Sequence, residues 1–308
     1  MEFPNGKRFA FSILDDTDDS TVSNVSPLYA LLHDIGMRTT KTVWPMACPE
    51  GSQLFYAGET LQDSGHLRFA HELAGLGFEI ASHGATMESS DRARTIRGLE
   101  FLKKEFGSYP RLYCNHGFNR ENLYWGNKRF QSTLLRLFAQ FVRQGKFITY
   151  HGDDEHSPYF WGDQALAHIQ YVRNFTFQRL NVLNVNPEMP YRLRSTKYVN
   201  YWFSTSDAPN VDAFNRLLTS ERIDELEKRG GVCIISTHPG KGFVHGGKVH
   251  PTTESILRYL GKKPGWYVPV SDVLDYLRQV QGRSIELGKV GCFKLELRYL
   301  ANMLFSQI

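Results

Sequence analysis

The sequence predicts an α/β protein built on a parallel sheet or barrel that gathers polar side chains on one rim. Three observations support this. Strand-like apolar runs alternate with helical patterns of roughly ten to sixteen residues, which is the signature of βαβ units with right-handed crossovers. Four of these runs end on a hard ligand or an acid–base group: FSILDD on Asp15 and Asp16, FEIASH on His83, RLYCNH on His116 and VCIISTH on His238. Parallel strands share one C-terminal rim, so these endings meet there despite their separation in sequence.

The elements follow in order. RFAFSIL reads as a buried strand. After the acidic DDTDD loop, Ser26 and Pro27 look like an N-cap and first helical position ahead of Leu28, Leu31, Leu32 and Ile35, with Gly36 as terminator. RTTKTVW is a β-branched strand, Ser64 to Ala74 a helix and FEIASH the next strand. From about Asp91 a helix carries Ile96, Leu99, Leu102 and Phe106 on one stripe, and RLYCNH follows. An apolar helix pattern spans Gln131 to Arg143. Tyr150 to Pro190 reads as long loops with a short helix near Gln164 to Val172. Order returns with YVNYWFS, a polar helix over Glu221 to Lys228 ended by Gly230 and Gly231, VCIISTH, a helix near Thr253, GWYVPV and a helix capped by Ser271. The tail is ambiguous: FKLELRY has period two, whereas LANMLF continues as a helix.

With 308 residues, 41% of them hydrophobic and 13% aromatic, the chain can bury a large core. It shows no repeat and no low-complexity linker, which favours a single domain over 1–308. The net charge of +4 is scattered rather than clustered, which argues against a nucleic-acid partner. No window approaches the length of a spanning helix, the N-terminus lacks a leader pattern, and Cys48, Cys114, Cys233 and Cys292 form no CxxC pair. These features lead to the expectation of a cytoplasmic protein.

Carboxylate oxygen and imidazole nitrogen are the donors that divalent metals take in catalytic sites. In a strand Asp15 and Asp16 point to opposite sides, which leaves one free as a base while the other ligates. His116 lies among Asn115, Asn119, Arg120, Glu121, Asn122, Tyr124 and Trp125, a composition suited to sugar hydroxyls and ring faces. His238, where a buried strand emerges, can protonate a leaving group near neutral pH. HGDDEH, His151 to His156, is a weaker second cluster because its residues are too close in sequence to converge easily.

The order of these motifs resembles the polysaccharide deacetylase family, the NodB-homology fold, over roughly residues 8 to 280. The resemblance rests on DD after the first strand, SHGATM after the third, the polar and aromatic loop after RLYCNH, and STH on a late strand. It implies a distorted (β/α) barrel with long loop insertions, a single catalytic domain with its barrel core at about 8–280, and 281–308 as a C-terminal extension packed on the barrel. It also implies a divalent metal ion, zinc by preference. Asp15 is similar to the family's catalytic base, Asp16 to its metal aspartate, His83 to its first metal histidine and His238 to its catalytic acid. Where the second metal histidine stands in the family, this chain has Met87, a poor ligand for such an ion. His116 is the first candidate to replace it and Asp18 the second. Asn115 falls where the family has an Arg-Pro pair, and Trp202 and Asp207 are similar to residues that line the pocket.

The resemblance implies a hydrolase that removes an acyl group, N-acetyl by preference, from a sugar or polysaccharide intermediate. The chain looks most like a WbmS-like branch linked to bacterial surface-polysaccharide biosynthesis. Two alternatives remain open: a non-catalytic carbohydrate-binding protein on a degenerate barrel, and an amidohydrolase acting on a non-sugar compound.

Overall fold

The computed structural model describes residues 2–50, 52, 58–142, 149–282 and 285–305. Its elements begin with β1 (Phe9–Asp15), α1 (Val22–Asp34), β2 (Thr40–Val43), α2 (Ser64–Gly75), β3 (Glu79–Ser82), α3 (Arg92–Phe106) and β4 (Leu112–Tyr113). The middle contributes α4 (Thr133–Val142), α5 (Gly162–His168), β5 (Tyr171–Phe177), β6 (Tyr191–Arg192) and β7 (Tyr201–Asp207). There follow α6 (Val211–Leu217), α7 (Ser220–Arg229), β8 (Gly231–Thr237), β9 (Val244–His245), β10 (Lys248–Val249) and α8 (Pro251–Gly261). The chain ends with β11 (Gly265–Tyr267), α9 (Val270–Gln281), β12 (Ile285–Glu286) and α10 (Lys289–Phe305).

Strands β1, β2, β3, β4, β5, β7 and β8 pair in that order, all parallel, and β8 pairs back onto β1 from Phe9↔Gly231 to Asp15↔Thr237. The result is a closed seven-stranded (β/α) barrel. It is distorted where β1 divides one edge between two neighbours: β11 pairs with Phe9 to Phe11, and β2 takes over at Leu14 and Asp15. Outside the closed ring, β6 runs antiparallel to β7 and carries β12.

The pleat of β1 and β8 sorts side chains onto two faces. Ala10, Leu14, Val232 and Ile234 belong to the larger apolar cluster, which includes Val172 and Phe175 of β5. Phe9, Phe11, Ile13, Cys233 and Ile235 instead pack beneath α1, α6, α7 and α8, against Leu28, Phe214, Ile223 and Leu257. The four cysteines are unpaired, and Cys114 and Cys233 are buried as small hydrophobes.

Several elements differ from the sequence reading. Helix α1 starts five residues earlier than expected, with Thr21 rather than Ser26 as its N-cap, because Thr21 and Asn24 form a reciprocal capping box and leave Pro27 inside the helix. Helix α9 starts at Val270 after Pro269, so Ser271 lies within it rather than capping it. The stretch from Tyr150 to Pro190 is not all loop: YVRNFTF is β5, a wall of the barrel. Its central residues are polar, which concealed the strand pattern. The expected helix over Gln131 to Arg143 is α4, and Arg143 lies outside the described residues. The ambiguous tail is helical. Leu295, Tyr299 and Leu300 of α10 enter the main core beside Phe130, Phe175 and Phe177, and this burial overrides the period-two pattern.

Candidate functional site

Neighbouring aspartates at the end of β1 part company. Asp15 follows the helix-facing residues of its strand. Its Oδ2 accepts from the Tyr29 hydroxyl at 2.6 Å and from Lys41 Nζ at 3.0 Å, with all three residues buried. Asp15 is therefore the carboxylate of a buried ion pair between β1, β2 and α1, and the catalytic-base role expected for it does not fit this placement. Asp16 turns into the barrel, where its Oδ2 accepts from Arg173 Nη1 at 2.5 Å and from Ser236 Oγ at 2.9 Å. Its other oxygen, Oδ1, is buried without a hydrogen-bond partner and lies 3.7 Å from His83 Nδ1.

Beyond Asp16 the chain makes a tight turn. Ser20 N donates to Thr17 O, Asp19 adopts φ 59°, and Asn24 Nδ2 holds the Asp19 carbonyl at 2.8 Å. Gly240 lies against this turn so closely that a Cβ there would stand 2.4 Å from the Asp19 carbonyl oxygen. The turn brings Asp18 back over the rim. Its Oδ1 is 3.4 Å from His83 Nε2 and 3.4 Å from His116 Nε2, and its Oδ2 is 3.3 Å from His238 Nε2 and 4.0 Å from Lys241 Nζ.

Each histidine is fixed by its own segment. His83 follows directly on β3, and its amide continues the ladder to Val43 O. His116 follows β4 in a loop closed by Asn122, which accepts from the His116 amide at 3.2 Å and donates to the His116 carbonyl at 3.0 Å. The buried indole of Trp44 packs against both imidazoles, with ring centroids 5.9 Å from His83 and 5.4 Å from His116. His238 Nδ1 lies 2.9 Å from Pro209 O. A carbonyl only accepts, so Nδ1 carries the proton and Nε2 faces the site.

Two sets of described residues have donor atoms close enough to share an ion: Asp18, His83 and His116, and deeper, Asp16, His83 and Cys114. The first fits a cation better. Distances of 3.4 Å from one oxygen to two nitrogens are long for direct hydrogen bonds, and Asp18 Oδ1 is buried without one. They match the roughly 3.3 Å between ligand atoms of a tetrahedron with metal–ligand bonds of about 2.0–2.1 Å. In the second set burial pushes the Cys114 thiol far above its ordinary range, and the Arg173 guanidinium beside Asp16 opposes another positive charge.

Burial raises the Asp16 pKa, but the charges of Arg173, His83 and His238 outweigh it and keep the carboxyl below its usual value. Asp18 is likewise pushed up by burial and pulled down further by the close approach of the His116, His238 and His83 imidazoles. Burial lowers the His83 pKa more than the neighbouring carboxylates raise it. For His238 the balance reverses: burial lowers its pKa, but Asp18 and Asp16 raise it above the ordinary value. Asp207, at the end of β7, is raised by burial despite the nearby Arg173.

The remaining expected residues divide. Asp207 ends β7 beside Ser236 and shares the electrostatic field of Asp16, Arg173 and His238. Trp202 lies near the other end of the same strand, about 16 Å away at the usual rise per residue. It is buried in the core with Nε1 donating to Thr196 Oγ1 at 2.9 Å, so the pocket-lining role expected for it is replaced by a packing role. Asn115 spends its amide within its own loop, accepting from Leu123 N and donating to Leu123 O, which argues against a free substrate contact. Met87 is buried. His151 meets Asp154 at 3.3 Å as a local pair rather than as part of either ligand set. Sequence reasoning passed over Trp44, Arg173, Ser236 and Lys241. Only Arg173 left a signal, as a lone charge inside an aromatic and β-branched run.

No protein-family model and no curated protein matches the chain. Among solved structures, it is similar to a putative polysaccharide deacetylase from Mycobacterium smegmatis, with 16% identity, TM-score 0.52 and coverage of 94% of this chain and 96% of that one. It is similar to a probable polysaccharide deacetylase from Pseudomonas aeruginosa PAO1, with 11% identity, TM-score 0.51 and coverage of 90% and 93%. It is also similar to Puue allantoinase, with 11% identity, TM-score 0.52 and coverage of 92% and 94%. The fold is thus the distorted (β/α) barrel that these proteins share, spanning nearly all of each chain.

Proposed function

We propose that the protein is a metal-dependent hydrolase that removes an acyl group, N-acetyl by preference, from a sugar or polysaccharide intermediate. The observation that carries this reading is the carboxylate oxygen of Asp18 set equidistant from His83 Nε2 and His116 Nε2, next to a buried Asp16 oxygen with no partner. Asp18, His83 and His116 would hold the ion, and two imidazoles with one carboxylate favour zinc. A bound divalent ion supplies Lewis-acid polarisation of the acyl carbonyl and of water.

The protein's own groups supply the proton transfers. Asp16 takes the base role, because Arg173 and Ser236 hold one of its oxygens and leave the other free to receive a proton from the attacking water. His238, oriented through Pro209 and held toward its doubly protonated form by Asp18 and Asp16, gives its Nε2 proton to the departing nitrogen or oxygen, and the proton taken up by Asp16 passes to solvent. Asp207 adds negative charge beside Arg173. The narrower reading, a WbmS-like branch working in the cytoplasm on bacterial surface polysaccharide, rests on the sequence resemblance. A second reading, amide hydrolysis on a non-sugar compound, draws support from the likeness to Puue allantoinase.

The test is metal content by elemental analysis, paired with turnover on a panel of acetylated sugars and small cyclic and linear amides. About one divalent ion per chain is expected, lost in Asp18→Ala, His83→Ala and His116→Ala. In Asp16→Asn it is retained while turnover falls at least ~100-fold. A parent that takes up no metal after loading would overturn the hydrolase and favour a carbohydrate-binding role. Activity on the amides alone would transfer the reading to the non-sugar hydrolase.

A further inference from the structure

We infer that the face formed by α4 and α10 docks the protein onto an anionic lipid surface. The argument starts from exposure. The two helices pack on each other, and Leu134, Leu137 and Phe138 of α4, with Val290, Phe293 and Leu297 of α10, remain exposed, Leu134 at 70% and Val290 at 69%. Large apolar side chains left exposed in this number on two packed helices mark an interaction surface rather than ordinary surface composition. On α10, steps of about 100° per residue place Val290, Phe293, Leu297 and Leu304 within an arc of about 60°. Lys289 borders one edge of that stripe, and Lys294 and Arg298 border the other, all three exposed.

Charge selects the occupant. The whole chain is nearly balanced, 36 basic against 32 acidic residues, yet α4 contains no acid and α10 contains only Glu296. Glu296 is buried and turned inward, accepting from Gln131 N at 2.6 Å and Ser132 N at 3.1 Å. The outer face therefore offers apolar side chains whose own helices contribute only cations, with Glu188 the neighbouring exposed acid, beside Gly291. That pattern suits a helix lying in the headgroup layer, with its apolar stripe among the acyl chains and its cations on anionic headgroups. A second copy of the chain would bring the same cations against each other. No helix among the described residues is long and apolar enough to cross a membrane, so this contact lies on the surface. Gln178, the first residue past the rim end of β5, donates to Asn302 of α10 at 2.9 Å, which sets the helix beside the end of the barrel that carries the site. The inference does not depend on the hydrolase reading.

The experiment is co-sedimentation of the full chain with vesicles of phosphatidylcholine alone or with about a third phosphatidylglycerol, at low and high salt, with light scattering for oligomeric state. The parent is expected to bind the anionic vesicles at least ~10-fold more strongly than the neutral ones and to weaken as salt rises. Two surface variants separate the contributions: Phe293→Glu with Leu297→Glu removes the apolar stripe, and Lys289→Glu with Lys294→Glu removes the cations, leaving Arg298, which donates to Val185 O, in place. Each should lose binding ~10-fold or more while keeping the parent's thermal midpoint and metal content. The inference is overturned by a parent that binds neither vesicle, by binding that both variants retain, or by a parent dimer that the Phe293→Glu, Leu297→Glu pair converts to monomer.

Discussion

The pleat of one strand assigns different tasks to two adjacent carboxylates. Asp15 and Asp16 are chemically identical, but one faces Lys41 and Tyr29 beneath the helices and the other faces Arg173 inside the barrel. Asp15→Asn should therefore cost about 3–5 kcal/mol by leaving Lys41 charged and unpaired, with metal content unchanged in the folded fraction. Denaturant titration with elemental analysis checks this, and a stable variant that has lost its metal would return Asp15 to the site. Glu121 offers a pH test. Burial pushes its carboxyl from 4.5 up to about 7, although Ser90 N and Asn119 Nδ2 donate to it. The folded state then binds more protons than the unfolded state between those values, so stability falls as pH rises from about 4.5 to 7 and is flat above. The loss is on the order of 3 kcal/mol. In metal-stripped protein, denaturant stability should fall more between pH 5 and pH 8 for the parent than for Glu121→Gln; equal changes would show that this carboxyl is not held protonated.

At the scale of elements, the short turn after β1 does more than the strand itself. Asp18 reaches the histidines because Asp19 takes a left-handed conformation and the Gly240 segment lies against its carbonyl. A methyl group on residue 240 would push that turn away. Gly240→Ala is expected to weaken metal affinity about 10–100-fold while β1 and β8 stay paired, the size of effect seen when ligand-orienting contacts are lost. Competition with a chelating dye measures it, and unchanged affinity would mean that the turn is held by other contacts. The positions of His83 and His116 were legible because each ends an apolar run. The partner of these histidines was not settled by the motifs, since Met87 stands where the family that the sequence resembles has a histidine, and only the folded turn and the β4 loop show Asp18 and His116 facing one another. Arg173 escaped because a central barrel strand with Arg and Asn in its middle looks like loop in sequence.

For the whole molecule, the ion would join segments far apart in sequence, from the β1 turn, the end of β3 and the loop after β4. Binding to the native state alone then stabilises it by mass action, about 4 kcal/mol when free metal is a thousandfold above the dissociation constant. Chelation should lower the thermal midpoint of the parent and leave His83→Ala unmoved. An equal fall in both would indicate that the ion sits elsewhere. The closed barrel makes this coupling possible by fixing the rim ends of seven parallel strands against each other.

The alternation of strands and helices, and the acidic or imidazole residue at the end of several strands, were set by local sequence, because hydrophobic periodicity and chain punctuation act over a few residues. Closure of the barrel through β8 and β1, the turning of Asp15 to Lys41 while Asp16 and Asp18 face the histidines, and the burial of Trp202 were decided only in three dimensions. Which face of a strand looks inward depends on what its neighbours bury. A one-residue difference at a strand end sends a carboxylate either to a lysine beneath a helix or to the rim where chemistry can occur.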